Sequence, residues 1–106
     1  MLKLDTGAEI YLSGPMTNMP EHNVHAFRKA ACRVKAFGFK PISPHELNEK
    51  KGLPPNLPWF RYMRSDIPEI ASSDGIYLLH GWHRSPGAII ELIVAIACAR
   101  TIFFEQ

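Results

Sequence analysis

The chain has 106 residues and a mass of 12.0 kDa, a size that supports one domain and excludes a two-domain enzyme. Charged residues make up 21% and apolar residues 46% of the sequence, which is typical of a globular domain and excludes a disordered chain. The formal net charge of +2 is too small to indicate binding to a nucleic acid polymer or a membrane.

Several features favour a cytoplasmic protein. Residues 1–9 contain no apolar run of the kind found in a signal peptide. The longest apolar run, residues 88–99, is interrupted by Glu91 and is too short to span a bilayer. Cys32 and Cys98 lie in apolar stretches, and we expect them to pack as small core residues rather than form a disulfide.

Strands and helices alternate along the predicted chain. Contiguous apolar runs predict strands at residues 9–13, 39–42, 75–79 and 101–104. Apolar periodicity and capping residues predict helices at residues 23–37, 58–72 and 86–99. Asn23 and Ser85 are the expected N-caps of the first and third helices. Residues 44–57, rich in proline, predict a long loop that forms a flap over a site.

This alternation predicts an α/β fold. We expect residues 1–106 to form a single Rossmann-like or flavodoxin-like domain, with a mainly parallel four-stranded sheet and helices on both faces. Ligands bind such sheets beyond the carboxyl ends of the strands. The corresponding segments are residues 13–18, 43–46 and 80–85, and the sequence predicts the functional site among them.

Glu91 is the first candidate for catalysis. It is the only charged residue in the apolar segment 85–99, so it should lie in a buried helix. An unpaired buried carboxylate costs several kcal/mol or changes its pKa. The pattern therefore favours a functional carboxylate, and the structural alternative is an ion pair with Arg61, Arg64 or Arg84.

The start of the same helix is a candidate anion site. Its small residues Ser85, Gly87 and Ala88 leave backbone amides free at the positive end of the helix dipole. Ser85 either caps the helix or donates its hydroxyl to a phosphate, and the residues alone support both equally.

Other candidates have structural alternatives of similar weight. Asp66 is either a surface charge or a functional acid, and Tyr11 is a core residue unless its hydroxyl reaches the cleft. Trp59 and Trp82 either pack or stack on a planar ring, with Trp82 the better stacking candidate. The five histidines match no zinc spacing, so no metal site is predicted. The motifs of a P-loop ATPase, a dinucleotide dehydrogenase and a serine hydrolase are missing from the sequence.

Three ordered segments resemble the nucleoside 2-deoxyribosyltransferase-like superfamily. They are residues 10–16 (IYLSGPM), residues 64–67 with 74–79, and the helix start with Gly81, Trp82, Ser85, Gly87, Ala88 and Glu91. The similarity is greatest to a small branch often encoded by phages and prophages, domain of unknown function 4406. Together the segments cover most of the chain.

The superfamily cleaves the bond between deoxyribose and a base, either by transfer to a second base or by hydrolysis of 2'-deoxynucleoside 5'-monophosphates. The resemblance implies that Glu91 is the nucleophile, Asp66 protonates or positions the leaving base, and Tyr11 orients the reacting groups. It also implies that Ser85 binds phosphate. Residues of two loops and of the start of the third helix complete the expected substrate contacts: Gly14, Pro15, Met16, Trp82, Gly87 and Ala88.

We therefore expect an N-glycosidase that hydrolyses a 2'-deoxynucleoside 5'-monophosphate without a metal or cofactor. The alternatives are a 2-deoxyribosyltransferase and a non-catalytic nucleotide-binding or sensing module. The expected partners are a small-molecule nucleotide or nucleoside and a second copy of the chain, in a homodimer or a larger homo-oligomer. One departure from the hydrolases is Pro15, which replaces a phosphate-binding serine, and Thr17 or Asn18 are the candidates to take its place.

Overall fold

A computed structural model describes residues 4–54 and 56–106 and contains a four-stranded parallel sheet between helices. The strands are β1 (Glu9–Ser13), β2 (Lys40–Ile42), β3 (Gly75–Leu78) and β4 (Thr101–Phe104). The helices are α1 (Val24–Ala36), α2 (Pro44–Lys50), α3 (Trp59–Ser72) and α4 (Pro86–Ala97). Short 3₁₀ turns occupy Pro20–Asn23 and Trp82–Arg84.

The strand order is β2-β1-β3-β4, and every neighbouring pair is parallel. Tyr11 of β1 is in register with Ile42 on one side and Ile76 on the other. The chain moves from β1 outward to β2 and then returns to add β3 and β4 on the opposite side. The connection after β1 leads to one side of the sheet and the connection after β3 leads to the other. Between two such connections a crevice opens at the carboxyl ends of β1 and β3. The predicted α/β fold with a parallel sheet is confirmed.

The two faces of the sheet are covered by different helices. Successive side chains of β1 point to opposite faces, so Ile10 and Leu12 pack with Phe27 of α1 in one core cluster. Tyr11 packs with Ile70 of α3 in a second cluster on the other face. This explains why the strands read as contiguous apolar runs, and it confirms the prediction of helices on both faces.

The predicted long loop at residues 44–57 is partly wrong, because residues 44–50 form α2. Pro44 occupies the first turn of that helix, where its missing amide costs no hydrogen bond and its fixed φ suits a helix. Glu46 lies in the same turn and complements the positive end of the helix dipole. The described residues that connect α2 to α3 without regular structure are therefore only 51–54 and 56–58.

Two smaller predictions are also wrong. Asn23 does not cap α1 through its side chain. Its backbone is left-handed, with a φ of 63°, and its Nδ2 donates to the Pro15 carbonyl at 3.0 Å. Cys32 is exposed on α1 rather than buried in the core, whereas Cys98 is half-buried. In the described part of the chain, no helix is long and apolar enough to cross a membrane.

Candidate active site

A cavity of about 490 Å³ opens at the carboxyl edge of the sheet. Its walls come from the loop after β1, from α2, from the connection to α3, from α3 itself and from the start of α4. A volume of this size lies within the range of small-molecule sites. The cavity therefore lies at the edge of the sheet where the sequence predicted the site.

Glu91 lies at the base of this cavity with only 5% of its surface exposed. The hydroxyl of Tyr11 donates to its Oε2 at 2.9 Å, and the hydroxyl of Ser13 donates to its Oε1 at 2.6 Å. Tyr11 and Ser13 are two residues apart on β1, so both side chains point to the face that carries α4. Each carboxylate oxygen is thus fixed by one buried hydroxyl.

The ion-pair alternative for Glu91 is excluded in the described part of the chain, where no Lys, Arg or His lies within salt-bridge distance of it. Arg61, Arg64 and Arg84 are all exposed. The burial cost of this carboxylate is therefore offset only by neutral donors. Such an environment favours the protonated form.

Asp66 supplies a second buried carboxylate from α3, with 5% of its surface exposed. Among the described residues, its Oδ1 has no hydrogen-bond partner. Burial raises the pKa of Asp66 to about 6, and the nearby polar groups of Glu91 and Tyr11 and the charge of Lys51 oppose that rise. The sequence left open whether Asp66 is a surface charge, and the structure excludes that alternative.

The two carboxyl groups influence each other. Burial first, and then the nearby charge of Asp66, raise the pKa of Glu91 to about 8, while the Ser13 and Tyr11 hydroxyls oppose this rise. Burial, followed by the charge of Glu91, raises the pKa of Tyr11 well above 10, so its hydroxyl stays a donor. Between about pH 6 and pH 8 the carboxyl pair therefore shares one proton.

The start of α4 forms one end of the cavity. Ser85 is extended, and its Oγ accepts from the Ala88 amide at 3.2 Å, which confirms the predicted N-cap. A serine hydroxyl that accepts one hydrogen bond still has a proton to donate. Ser85, Gly87 and Ala88 all line the cavity. A Cβ at Gly87 would lie 4.0 Å from Cε3 of Trp59, so this end is bounded by the Trp59 ring.

The loop after β1 places most of its predicted residues in the cavity. Gly14, Met16, Thr17 and Asn18 line it. A Cβ at Gly14 would lie 2.8 Å from Cβ of Leu79, so only glycine allows the ends of β1 and β3 to approach this closely.

Pro15 and Trp82 were predicted to contact the substrate, but the structure places neither in the cavity wall. The Pro15 carbonyl accepts from Asn23, so this residue holds the loop against the start of α1. Trp82 follows the left-handed Gly81 and turns towards β4, where its ring centroid lies 5.7 Å from that of Phe104. Trp59, the weaker of the two predicted stacking residues, lines the cavity instead.

The family of this chain follows from a match across nearly its whole length. The family described as domain of unknown function 4406 matches residues 8–104. The chain belongs to this family. The branch predicted from the sequence is therefore confirmed.

Solved structures with a similar fold include two 2-deoxyribosyltransferases. The enzyme from Bacillus psychrosaccharolyticus, described as a biocatalyst for nucleoside synthesis, has a TM-score of 0.68 and 22% identity, over 92% of this chain and 71% of that chain. The enzyme from Leishmania mexicana has a TM-score of 0.67 and 17% identity, over 92% of this chain and 63% of that chain. No curated protein sequence matches the chain.

Three polar residues of the site were given no role in the sequence analysis, although two of them lie in the predicted strand-end segments 13–18 and 43–46. Ser13 lies two positions after Tyr11 on β1, and strand periodicity could have placed it beside Glu91. His45, within segment 43–46, and Asn48, beyond it, line the cavity from α2, a helix that the sequence did not predict. Among residues 4–54 and 56–106, no group of three or more His, Cys, Asp or Glu side chains could hold a metal ion.

Proposed function

We propose that this domain is an N-glycosidase that hydrolyses the base–sugar bond of a 2'-deoxynucleoside 5'-monophosphate, with Glu91 as the nucleophile. The observation that carries the proposal is the environment of Glu91. It is buried, it has no cationic partner in the described part of the chain, and two hydroxyls fix it at the base of a cavity that also contains Asp66. Burial without a cation raises the pKa of Glu91 and leaves no ion pair that must break when its carboxylate attacks.

In the first step, a Glu91 carboxylate oxygen forms a bond to the anomeric carbon as the bond from that carbon to the base nitrogen breaks. The departing base takes a proton from Asp66, so the electron pair of the broken bond does not accumulate as charge on the base. The product is a glycosyl ester on Glu91, as in retaining glycosidases.

In the second step, water attacks the anomeric carbon and the ester bond to Glu91 breaks. Asp66, now ionised, accepts a proton from that water, and 2-deoxyribose 5-phosphate leaves. This mechanism needs Asp66 protonated and Glu91 ionised at the start. Between about pH 6 and pH 8 the pair holds one proton, which the higher pKa of Glu91 places mainly on Glu91, so the reactive state is the minor one and forms when that proton moves to Asp66. The hydroxyls of Tyr11 and Ser13 favour it, since both donate to Glu91.

The start of α4 supports a phosphate on the substrate. Ser85, Gly87 and Ala88 of the helix start line the cavity, and a helix start of this kind favours an anion. Glu91 follows Gly87 by four residues, about one helical turn or 5 Å along the axis. That separation suits a 5'-phosphate at the helix start with the anomeric carbon beside Glu91.

The fold adds support for the deoxyribosyl group. Two structures with this fold are 2-deoxyribosyltransferases, and both transfer and hydrolysis begin with attack on the anomeric carbon. The two reactions differ only in the acceptor, which is a second base in transfer and water in hydrolysis. A single assay with and without an added free base separates them.

The test is a screen of deoxynucleosides and their 5'-monophosphates for free base, measured by chromatography. We expect base release from one or more monophosphates, at a rate that an added second base does not increase. Glu91→Gln should reduce release by orders of magnitude while the unfolding temperature does not fall. Glu46→Gln is the matched control, because Glu46 is an exposed carboxylate outside the cavity wall. Release that Glu91→Gln leaves unchanged would overturn the proposed nucleophile.

A further inference from the structure

Strand β4 lies at one edge of the sheet, and in the described part of the chain its outer side has no partner strand. The Glu105 amide, just past the end of β4, donates to the Leu78 carbonyl of β3 at 2.9 Å. The backbone groups of successive residues in a strand point to opposite edges, so those of Ile102 and Phe104 point outward. Each of these two residues therefore offers an N–H and a carbonyl to an added strand.

An open groove of about 650 Å³ lies beside this edge. Phe37 at the end of α1, Tyr77 of β3 and Phe103 of β4 are among the residues that line it. Tyr77 and Phe103 belong to the core cluster on the face of the sheet that carries α1, so the groove lies on that face. The Phe37 side chain is 71% exposed. A groove lined by aromatic rings beside a free strand edge suits the alternate side chains of an extended peptide.

Helix α1 gives one side of this groove a positive charge. Its lysine and arginine side chains are exposed, and it contains no aspartate or glutamate. Lys29, Arg33 and Phe37 follow one another at intervals of four, so they form one row along the helix, and Arg33 and Phe37 line the groove. In the described part of the chain, Arg33 pairs with Glu105 at 3.2 Å, whereas no carboxylate lies within salt-bridge distance of Lys29. The row therefore favours a negatively charged partner.

We propose that the outer edge of β4 and this groove bind an extended acidic segment of a partner protein, which adds to the sheet as a further strand. The backbone groups of Ile102 and Phe104 pair with the segment, and its apolar side chains fill the groove. Its carboxylates lie beside Lys29 and Arg33. The interaction is separate from the cavity that contains Glu91, because the groove and the cavity share no lining residue.

The occupant follows from the combination of a free strand edge, an apolar groove and a cationic helix. A nucleic acid offers negative charge but has neither a strand backbone nor apolar side chains. A second copy of this chain offers a strand, but a twofold pairing of two β4 strands leaves both α1 helices on the same face of the joined sheet. Their cationic side chains then repel one another across the junction. An acidic strand meets all three features.

The probe is a fluorescent nine-residue peptide with blocked termini, in which alternating valine and threonine separate two pairs of glutamates. One matched peptide replaces the glutamates with lysines, and another replaces the valines with serines. We expect the acidic apolar peptide to bind about tenfold more tightly than either, as measured by fluorescence anisotropy. Equal affinity of the acidic and lysine peptides, or no saturable binding of the acidic peptide up to about 1 mM, would overturn the proposal.

Amide hydrogen exchange followed by NMR tests the strand pairing. The acidic peptide should slow exchange at Ile102 and Phe104 by about tenfold or more, because their outward N–H groups gain partners. The Glu105 amide already donates to β3 and should change less. Protection confined to residues around Glu91 would show that the peptide binds in the cavity, and would overturn the proposal.

Variants assign the binding to the edge and to the cationic row. Phe104→Pro removes an outward N–H without breaking a bond to β3 and should weaken binding about tenfold, whereas Phe104→Val keeps that N–H and should weaken it about threefold or less. Lys29→Glu should weaken binding of the acidic peptide and strengthen that of the lysine peptide. Lys50→Glu, at an exposed position of α2, is the matched control and should change neither. Unchanged binding to both Phe104→Pro and Lys29→Glu would contradict the proposal.

Two further measurements complete the test. Thermal unfolding shows that each variant is folded, and Lys29→Glu tests the proposal on its own if Phe104→Pro does not fold. Sedimentation of Phe104→Pro without peptide examines the second copy as an occupant. A homo-oligomer that Phe104→Pro leaves intact is the expected result. Its dissociation would show that a second β4 occupies this edge, and would overturn the proposal.

Discussion

The Ser13 hydroxyl lies 2.6 Å from Oε1 of Glu91, across 78 positions of sequence. Ser13 ends the central strand and Glu91 lies in the second turn of α4, so this bond joins the sheet to the helix at the base of the cavity. A hydroxyl–carboxylate distance of this length is typical of a strong, charge-assisted hydrogen bond. The contact orients the carboxylate and favours its ionised form.

The first prediction is a bell-shaped dependence of base release on pH. The reaction needs one proton on the carboxyl pair, held by Asp66, and the pair has one proton between about pH 6 and pH 8. We expect kcat/KM to rise through pH 6, peak near pH 7 and fall above pH 8. A profile that is flat from pH 5 to pH 9 would contradict this division of roles.

The second prediction concerns Ser13→Ala. The hydroxyl lowers the pKa of Glu91, so its removal should move the alkaline limb of the pH profile upward by about one unit, the equivalent of about 1.4 kcal/mol. The rate at pH 7 should fall by about tenfold, because ionised Glu91 becomes rarer and is held by one donor only. Tyr11→Phe should act in the same direction. A lower rate with an unshifted profile would indicate a packing defect instead.

The third prediction concerns stability. Folding raises the pKa of Asp66 from 3.8 to about 6 and that of Glu91 from 4.5 to about 8. The folded protein therefore holds these protons more tightly than the unfolded chain. Their contribution to stability is full below about pH 4 and is lost as the pH rises through 6 and 8.

The unfolding temperature should therefore fall from pH 5 to pH 8.5. Glu91→Gln should flatten this dependence and raise the unfolding temperature at pH 8.5 by about 5 °C or more. Calorimetry or circular dichroism across the pH range measures both effects. Destabilisation by Glu91→Gln at every pH would show that the charged group stabilises the fold.

The fourth prediction tests the phosphate with Ser85→Asp. An aspartate still caps α4, but its charge repels a 5'-phosphate where the serine hydroxyl can donate to one. We expect kcat/KM for the monophosphate to fall at least tenfold, about the loss of one charge-assisted hydrogen bond. The corresponding deoxynucleoside should be affected less. Equal losses for the two substrates, or a wild-type preference for the nucleoside, would exclude a phosphate at this helix start.

The fifth prediction is that the chain is a homodimer or a larger homo-oligomer through α4. Three isoleucines lie on the outer face of that helix, with exposed fractions of 38% for Ile89, 58% for Ile93 and 59% for Ile96. Phe60 of α3, which packs beside α4, is 57% exposed. An apolar stripe of this kind is typical of a surface that a second copy covers.

Sedimentation should therefore give at least twice the chain mass of 12.0 kDa, and Ile93→Glu should give the monomer. Phe37→Glu is the matched control, since Phe37 is 71% exposed at the end of α1 on the opposite face of the sheet. A wild-type monomer at micromolar concentration, or dissociation by the control alone, would exclude α4 as the interface.

The amino-acid sequence by itself determined the order of strands and helices, with the exception of α2. Strands of a parallel sheet are buried on both faces, so their apolar runs are visible without tertiary information. The sequence also identified Glu91 as a candidate catalytic residue, because helix packing alone does not explain a single carboxylate in an apolar helix. Helix α2 was not predicted because the prolines and lysines of residues 44–57 are also common in loops. A proline such as Pro44 is compatible both with a loop and with the first turn of a helix.

Only the tertiary structure decided which groups surround Glu91 and which aromatic ring lines the cavity. The contact of Ser13 with Glu91 depends on how α4 packs against β1, and no local pattern encodes that packing. The sequence favoured Trp82 over Trp59 as the stacking residue, but the left-handed turn at Gly81 carries Trp82 away towards β4. Local propensity follows from each residue and its neighbours, whereas a site depends on long-range contacts that exist only once the elements have packed.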